Sequence, residues 1–289
     1  MPELPEVETV KRGLNKLIIS KKIRTVSFDT AKSFPNAKND VDAFLIGSKI
    51  LEVRRRAKVL IIDLSTNYSL VVHLKMTGQL VFVGSEFRFG AGHPNDSLVN
   101  NLPDKSTRVQ ILFEDNSVLY FNDQRKFGWV RLMPTNEISS LPFMQKVGPE
   151  PLEPDFTADQ FAERFARRAR TTIKAAILDQ SVIAGVGNIY ADEALWGAKI
   201  HPSRLVGSIT DDEFKLLYAE VREVMNLSIE KGGSTNRNYV NAEGKKGSYM
   251  DFARVFRREG LACPRCGTEI VKIRVAGRGT HICPNDQRI

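Results

Sequence analysis

The sequence predicts an α+β protein: an N-terminal β-sandwich with a flanking helix, then a helical region, then a small C-terminal β-hairpin. Residues 1–135 contain short β-branched segments at near-regular spacing, which favours a sandwich over a parallel sheet with alternating helices. Residues 150–235 carry helix-start signals, and residues 250–289 carry cysteine-containing turns typical of metal-binding ribbons. We therefore expect three domains with these bounds, with the first change of character near residues 148–151.

The first domain is predicted to begin with the flanking helix, because apolar residues from Val7 to Leu17 recur at helical spacing. The β-branched segments predict strands at residues 23–28, 59–64, 70–74, 80–83, 109–113 and 118–121. Asp115 and Asn116 lie between the last two strands and predict a hairpin turn.

Two capping-box pairs mark helix starts in the second domain. Gln160 follows Thr157 by three residues, and Glu213 follows Thr210 in the same way, so each pair can satisfy backbone donors at a helix N-terminus. The second pair begins an amphipathic segment that we expect to end at Gly232.

The composition favours an anionic partner. Lysine and arginine total 42 against 34 acidic residues, which gives a net charge of +8 and an isoelectric point near 9.4. Half of that charge lies in residues 250–289, which carry eight basic and four acidic side chains. Neither an apolar run of membrane length nor a cleavable signal pattern occurs, so we expect a soluble intracellular protein without a membrane partner.

The N-terminal segment pairs a nucleophile with a proton donor. Removal of the initiator methionine leaves the secondary amine of Pro2 beside the carboxyl group of Glu3. A terminal amine titrates near ~7.7 to 8.0 and a lysine near ~10.4, so the terminal amine is far more often unprotonated at neutral pH. It can therefore form an iminium with an aldehyde-level carbon. A structural interpretation is compatible with this one: Pro5 suits the first turn of a helix, and Glu6 and Glu8 complement its dipole.

The C-terminal segment has the spacing of a zinc ribbon. Cys263 and Cys266 form one C-x2-C turn, and after sixteen residues Cys283 begins a second turn in which Asp286 stands at the fourth ligand position. A carboxylate can ligate zinc, so these four residues are the predicted ligands, with His281 as a competing fourth ligand. The alternative is a hairpin held by its own packing, with three unligated thiols.

Two further segments suit phosphate binding. Arg278 is flanked by glycines between two strand-like segments, and a guanidinium at a hairpin tip can bind phosphate oxygens in a bidentate manner. A solvated arginine is the alternative. Asn188 follows Gly185 and Gly187 at the predicted start of a helix at Ile189, where it can cap the helix or reach a phosphate, although such glycine-rich starts are common.

Six motifs, in order, resemble the bifunctional DNA glycosylases of the formamidopyrimidine-DNA glycosylase and endonuclease VIII group. They are MPELPE at residues 1–6, RRAK at 55–58, HLKM at 73–76, DQRKFG at 123–128, GNIY at 187–190 and VAGRGTH at 275–281. Leu4 is similar to the formamidopyrimidine branch, since the other branch usually has glycine there. The resemblance implies a β-sandwich with its helix, a helix-two-turns-helix domain and a zinc hairpin.

The same resemblance implies an activity and its residues. Oxidised purines such as 8-oxoguanine and formamidopyrimidines would be excised from damaged double-stranded DNA, and the strand would then be cleaved by β,δ-elimination. Pro2 would be the nucleophile, Glu3 the proton donor, Lys58 a participant in β-elimination and Arg278 in δ-elimination. One structural zinc ion, no organic cofactor, a monomer and a bacterial-type cytoplasmic location near the nucleoid are expected.

The resemblance also implies DNA contacts. Met76, Arg125 and Phe127 would fill the gap left by an extruded nucleotide, and core packing is the alternative for Met76 and Phe127. The phosphate track would be lined by His73, Arg170, Lys174 and Asn188.

The chain departs from the family pattern at several positions. Asp286 replaces a cysteine, Ser106 a common histidine and Phe256 a usual tyrosine, and the stretch 87–102 is longer than typical.

Two other functions stay open. The first is an endonuclease VIII-like preference for oxidised pyrimidines, because the loop between Gly232 and Asp251 gives no readable signal, and the second is a protein that binds damaged DNA without cutting it.

Overall fold

The computed structural model describes residues 1–86, 88–93, 96–234 and 248–289, and it confirms the α+β class. The chain forms two compact units. The first comprises residues 1–145 with the described part of residues 231–248, and the second comprises residues 146–230 and 249–289. None of the helices in the described ranges has the length and apolar character needed to span a bilayer.

The first unit is an antiparallel β-sandwich preceded by helix α1 (Leu4–Leu17). Its strands are β1 (Ile23–Phe28), β2 (Ile50–Arg56), β3 (Val59–Leu64), β4 (Tyr68–His73), β5 (Gly78–Val83), β6 (Arg88–Gly92), β7 (Thr107–Phe113), β8 (Val118–Asp123) and β9 (Trp129–Pro134). One sheet has the order β1-β7-β8-β5-β6, and the other has the order β2-β3-β4-β9. The structure also has two short helices, α2 (Lys38–Asp40) and α3 (Pro142–Lys146).

The sandwich core lies between the two sheets and extends to α1, where Val7, Val10 and Leu14 are completely buried. Each predicted strand overlaps a strand of the structure, and the hairpin at Asp115 and Asn116 is confirmed between β7 and β8. Strands β2, β6 and β9 were not predicted.

The long stretch at residues 87–102 contributes the edge strand β6, which pairs with β5. Phe89 of β6 is buried against α1 at Gly13, where an added Cβ would lie 2.0 Å from the Phe89 ring. Glycine is therefore required at this helix position because the ring occupies the space of a side chain. Residues 87, 94 and 95 lie outside the described ranges.

The second unit contains four longer helices and a hairpin. The helices are α4 (Ala158–Ala166), α5 (Ile173–Leu178), α6 (Asn188–Gly197) and α7 (Asp211–Glu230), and the hairpin strands are β10 (Val271–Val275) and β11 (Arg278–Ile282). Helices α4 and α7 pack through aromatic rings, with the Phe165 and Phe214 centroids 5.4 Å apart.

The structure confirms the predicted helix starts at Thr157 and Thr210. Both capping boxes form: Thr157 exchanges hydrogen bonds of 3.0 and 3.2 Å with Gln160, and Thr210 exchanges hydrogen bonds of 2.8 and 3.3 Å with Glu213. Helix α7 ends at Glu230, two residues before Gly232. Helix α6 begins one residue earlier than predicted.

Gly13→Val is expected to lower the free energy of unfolding by about 1–3 kcal/mol, because the added side chain meets the Phe89 ring in a packed region. Urea denaturation measures the change. Lys16→Val, at an exposed position of the same helix, serves as the control and should change stability by less than about 0.5 kcal/mol. Equal effects of the two substitutions would contradict the packing role of Gly13.

Candidate active site and nucleic-acid interface

The N-terminal residues are enclosed at the start of α1. Pro2 is buried, and the Glu3 side chain is only 3% exposed. Glu3 is the N-cap residue, and its backbone N–H donates to Oε2 of Glu6 at 2.8 Å. The other oxygen of Glu6 accepts a 2.7 Å bond from the N–H of Ser234. Both interpretations of this segment are therefore compatible with the structure, since Pro5 and Glu6 serve the helix start while Pro2 and Glu3 precede it.

With Met1 in place, the nitrogen of Pro2 belongs to a peptide bond. Amine chemistry at Pro2 requires removal of that methionine, because an amide nitrogen is not a nucleophile.

Lys58 lies in the two-residue turn between β2 and β3 and is 7% exposed. Its neighbour Ala57 has φ +52°, a left-handed conformation that needs support from the surroundings. The Arg55 guanidinium provides it, donating to the carbonyl of Ala57 at 3.0 Å and to Oε2 of Glu8 at 3.0 Å. One side chain thus links helix α1 to the turn that carries Lys58.

Glu8 is ionised in this arrangement. Burial raises the pKa of its carboxyl group, but hydrogen bonds from Arg55 and Arg12 outweigh burial and leave the pKa below its usual value. A partly buried carboxylate with two guanidinium partners is a stable anchor for the turn.

His73 ends strand β4 as a neutral imidazole. Burial, with the positive charges of Lys75 and Lys58 nearby, lowers its pKa to about 3. Its Nδ1 accepts a 3.0 Å hydrogen bond from the N–H of Lys75, so the ring proton of the neutral form lies on Nε2. The neutral ring of His73 can therefore donate one hydrogen bond, from Nε2, to a phosphate oxygen.

The three predicted void-filling side chains lie on two adjacent turns of the first unit. Met76 is 36% exposed and Phe127 is 45% exposed, so core packing is excluded for both, and Arg125 is also exposed. The Arg125 guanidinium lies 4.8 Å from the centroid of the Phe127 ring. The hydroxyl of Thr77, next to Met76, accepts a 3.1 Å bond from the N–H of Arg125 and so joins the two turns.

In the second unit, Asn188 and the hairpin turn lie together. Gly187, not Asn188, is the N-cap of α6, and the Asn188 amide donates to the carbonyl of Gly279 at 2.9 Å. Arg278 begins β11 beside this contact and is exposed, and Arg170 is exposed as well.

The structure gives no support to the predicted phosphate contact of Lys174, because this side chain lies in the interior. The side chains of Lys174 and Asp192 are both 0% exposed, and they form an ion pair. An ammonium enclosed in this way needs its carboxylate partner and presents no surface to a phosphate. The second oxygen of Asp192 accepts from the backbone N–H of His281 at 3.0 Å and lies 3.1 Å from its Nδ1, so this cluster connects α5, α6 and β11.

The predicted metal ligands are only partly assembled. The sulfur atoms of Cys263, Cys266 and Cys283 lie within 4.8 Å of one another, a donor set that suits zinc. The carboxylate of Asp286 is outside this cluster and accepts a 2.5 Å hydrogen bond from Arg265. His281 faces Asp192 instead. The fourth ligand therefore stays a prediction.

The sequence-based predictions include no role for Arg55 or Asp123, although Arg55 lies in the RRAK motif and Asp123 in the DQRKFG motif. Asp123 is completely buried and accepts hydrogen bonds from the turn that carries Arg125 and Phe127. The available signal was the aspartate that opens a turn ending in Gly128, because aspartate commonly accepts hydrogen bonds from the backbone two residues later.

The pKa of His73 predicts a pH dependence of stability. Between about pH 3 and pH 6.5 the unfolded chain binds a proton at this position and the folded chain does not, so stability rises with pH through this window. His73→Asn, which retains an acceptor for Lys75, should abolish about 1–2 kcal/mol of the wild-type loss in stability between pH 7 and pH 5. Urea denaturation at both pH values measures this, and an unchanged pH dependence would contradict it.

Three family models match successive parts of the chain. The "Formamidopyrimidine-DNA glycosylase N-terminal domain" matches residues 1–130, and the "Formamidopyrimidine-DNA glycosylase H2TH domain" matches residues 147–240. The "Zinc finger found in FPG and IleRS" matches residues 260–289. The predicted order of sandwich, helix-two-turns-helix domain and zinc hairpin is thereby confirmed.

Relatives match over the full length. A formamidopyrimidine-DNA glycosylase of Pediococcus pentosaceus is 41% identical over 287 residues, covering 99% of each chain. One of Herpetosiphon aurantiacus is 42% identical over 286 residues, covering 98% of each chain.

Solved structures agree. A Lactococcus lactis FPG mutant in complex with Fapy-dG-containing DNA has a TM-score of 0.87 at 34% identity and covers 100% of both chains. The L. lactis Fpg in complex with abasic-site DNA also has a TM-score of 0.87 at 34% identity, covering 99% of this chain and 100% of that one. On identity, coverage and fold, this chain belongs to the formamidopyrimidine-DNA glycosylase family.

Proposed function

We propose that this protein excises oxidised purines from duplex DNA and then cleaves the strand at the resulting abasic site. Full-length similarity to formamidopyrimidine-DNA glycosylases supports the reaction class. Similar solved complexes contain Fapy-dG, carbocyclic 8-oxo-G or an abasic site, which favours the purine branch over the pyrimidine branch. The observation that carries the proposal is the burial of Pro2 and Glu3 ahead of α1, in the unit that also buries Lys58.

The first step uses the two N-terminal residues. Once Met1 is removed, the amine of Pro2 attacks C1′ of the damaged nucleotide, the bond to the base breaks, and the electron pair leaves with the base. The carboxylic acid of Glu3 donates a proton to the ring oxygen as the sugar opens, which leaves an iminium cation at C1′. The Glu6 carboxylate holds the backbone of Glu3 in place for this transfer.

The second step cleaves the strand. The iminium withdraws electrons from C2′, so its proton is lost and the 3′ phosphate departs by β-elimination. We assign Lys58 to this step, because the Arg55 guanidinium fixes its turn. We assign Arg278 to δ-elimination of the 5′ phosphate, since an exposed guanidinium is a strong phosphate ligand.

DNA binding combines phosphate contacts with insertion into the base stack. Arg170 and Asn188 are suited to phosphate oxygens, as is the neutral His73. Met76, Arg125 and Phe127 are the exposed side chains that replace the extruded nucleotide, which offsets part of the cost of unstacking.

The proposal also covers the domain bounds, the metal site, the oligomeric state and the cellular location of the protein. Residues 1–135 form the catalytic domain, 150–235 the helix-two-turns-helix domain and 250–289 the zinc hairpin. One structural zinc ion would be held by Cys263, Cys266 and Cys283, with Asp286 as the fourth ligand, and would fix the hairpin, while the chemistry proceeds through the protein's own side chains. The enzyme acts as a monomer in the cytoplasm, near the nucleoid.

Borohydride reduction during turnover tests the covalent step. The mature protein should yield a stable adduct with DNA at Pro2, and Pro2→Gly should lower its yield by about tenfold or more because a primary amine replaces the ring amine. Gel electrophoresis and mass spectrometry of the adduct measure this.

Pro5→Ala is the matched control, since it changes a proline of α1 without changing the terminal amine, and its adduct should form at the wild-type level. A protein that retains Met1 should form no adduct. Wild-type trapping by that protein would overturn the proposed nucleophile.

Zinc affinity tests the fourth ligand. Asp286→Cys should tighten zinc binding by about tenfold or more, because a thiolate is a softer ligand, and Asp286→Asn should weaken it by a similar factor. Competition with a colorimetric chelator measures both.

Arg265→Met separates ligation from the ion pair, because it removes the Asp286 partner and keeps the carboxylate. Its zinc affinity should stay within about threefold of wild type. Wild-type affinity of Asp286→Asn would exclude Asp286 as a ligand.

A further inference from the structure

Asp123, the last residue of β8, lies between the two turns that carry the void-filling side chains. We call residues 74–77 the Met76 turn and residues 124–128 the Phe127 turn. The Asp123 side chain is 0% exposed, so its interactions are all with the protein interior.

The carboxylate of Asp123 accepts from both turns. Oδ2 accepts from the backbone N–H groups of Phe127 at 2.8 Å and Gly128 at 2.7 Å. Oδ1 accepts from the N–H of Arg125 at 3.2 Å and from the hydroxyl of Thr77 in the Met76 turn. A single buried carboxylate therefore binds the backbone that carries Arg125 and Phe127 and the Thr77 side chain next to Met76.

Both turns need such support. Lys75 and Lys126 have φ values of +50° and +56°, in the left-handed region that non-glycine residues rarely adopt. At Gly128 an added Cβ would lie 2.9 Å from the carbonyl oxygen of His73 and 3.2 Å from Oδ2 of Asp123. The Phe127 turn is thus folded closely around the carboxylate.

An amide could not replace this group. All the described partners of the Asp123 carboxylate are hydrogen-bond donors, and an asparagine of the same shape would turn its own NH₂ donors toward some of them. Buried donors that lose their acceptor are costly, so the turns of such a variant would rearrange.

We propose that Asp123 is a positioning residue that holds Met76, Arg125 and Phe127 as one preorganised group for insertion into the base stack. The inference rests on the proposed function, which assigns insertion to these side chains. Because hydrogen bonds within the protein already fix the two turns, ordering these turns does not add to the cost of extruding the lesion.

The test compares two substrates. Asp123→Asn should lower kcat/KM for an 8-oxoguanine duplex by about 10- to 100-fold, the range expected for hydrogen bonds to a charged acceptor. Strand cleavage of a single-stranded oligonucleotide with a preformed abasic site needs no base extrusion, so it should change by less than about threefold. In the inserted position the Arg125 guanidinium can hydrogen-bond to the unpaired base opposite the lesion. The preference for that base should therefore also weaken, because Arg125 loses its backbone anchor.

Asp63→Asn is the matched control. Asp63 lies on β3 of the same unit and accepts hydrogen bonds from Arg54 and Ser69, away from both turns. It should leave the ratio of the two activities unchanged. Equal losses on both substrates in Asp123→Asn would overturn the proposal, since they indicate general destabilisation.

Thr77→Val gives a second, milder variant in case Asp123→Asn does not fold. It removes one hydrogen bond to Asp123 and one from Arg125, so it should shift the same ratio by a smaller factor. An unchanged ratio would contradict the link between the turns.

Fluorescence separates this inference from the proposed chemistry. A 2-aminopurine beside the lesion reports unstacking without any bond cleavage, and its rise on binding should be smaller for Asp123→Asn than for wild type. A wild-type protein that forms no borohydride adduct would overturn the proposed reaction, whereas an identical 2-aminopurine response in both proteins would overturn the role of Asp123.

Discussion

The ion pair between Glu8 and Arg55 is the constraint on which the conformation of the turn that carries Lys58 depends. It joins helix α1 to the turn between β2 and β3, which carries Lys58, and Lys58 is buried in the same unit as Pro2 and Glu3. Glu6 adds a second constraint by binding the backbone at Glu3. Helix α1 therefore follows directly after Pro2 and Glu3, and its Glu8 side chain, through Arg55, holds the turn that carries Lys58.

The fold could be predicted where burial determines residue type. The predicted strands are β-branched because they face the sandwich core, and the capping boxes lie at exposed helix starts where local chemistry decides. Strands β2, β6 and β9 were missed because their sequences contain arginines, glycines or partly exposed positions. Their strand conformation comes from pairing with neighbours, which is a tertiary effect.

The sequence suggested roles for side chains that face solvent, and it gave no role to side chains that act inside the protein. Met76 and Phe127 are exposed, as a role in DNA insertion requires. The prediction for Lys174 came from the resemblance to the glycosylase family, whereas in the structure its charge is buried beside Asp192. Asp123 was overlooked because it acts on backbone groups that every sequence possesses.

The cluster of Lys174, Asp192 and His281 has a consequence for the C-terminal hairpin. Asp192 of helix α6 is hydrogen-bonded to the backbone N–H and the ring of His281 in strand β11, and no sulfur atom takes part in these contacts. The hairpin is thus also held by contacts that need no metal ion, so a carboxylate in place of a fourth thiol at position 286 need not alter the position of Arg278.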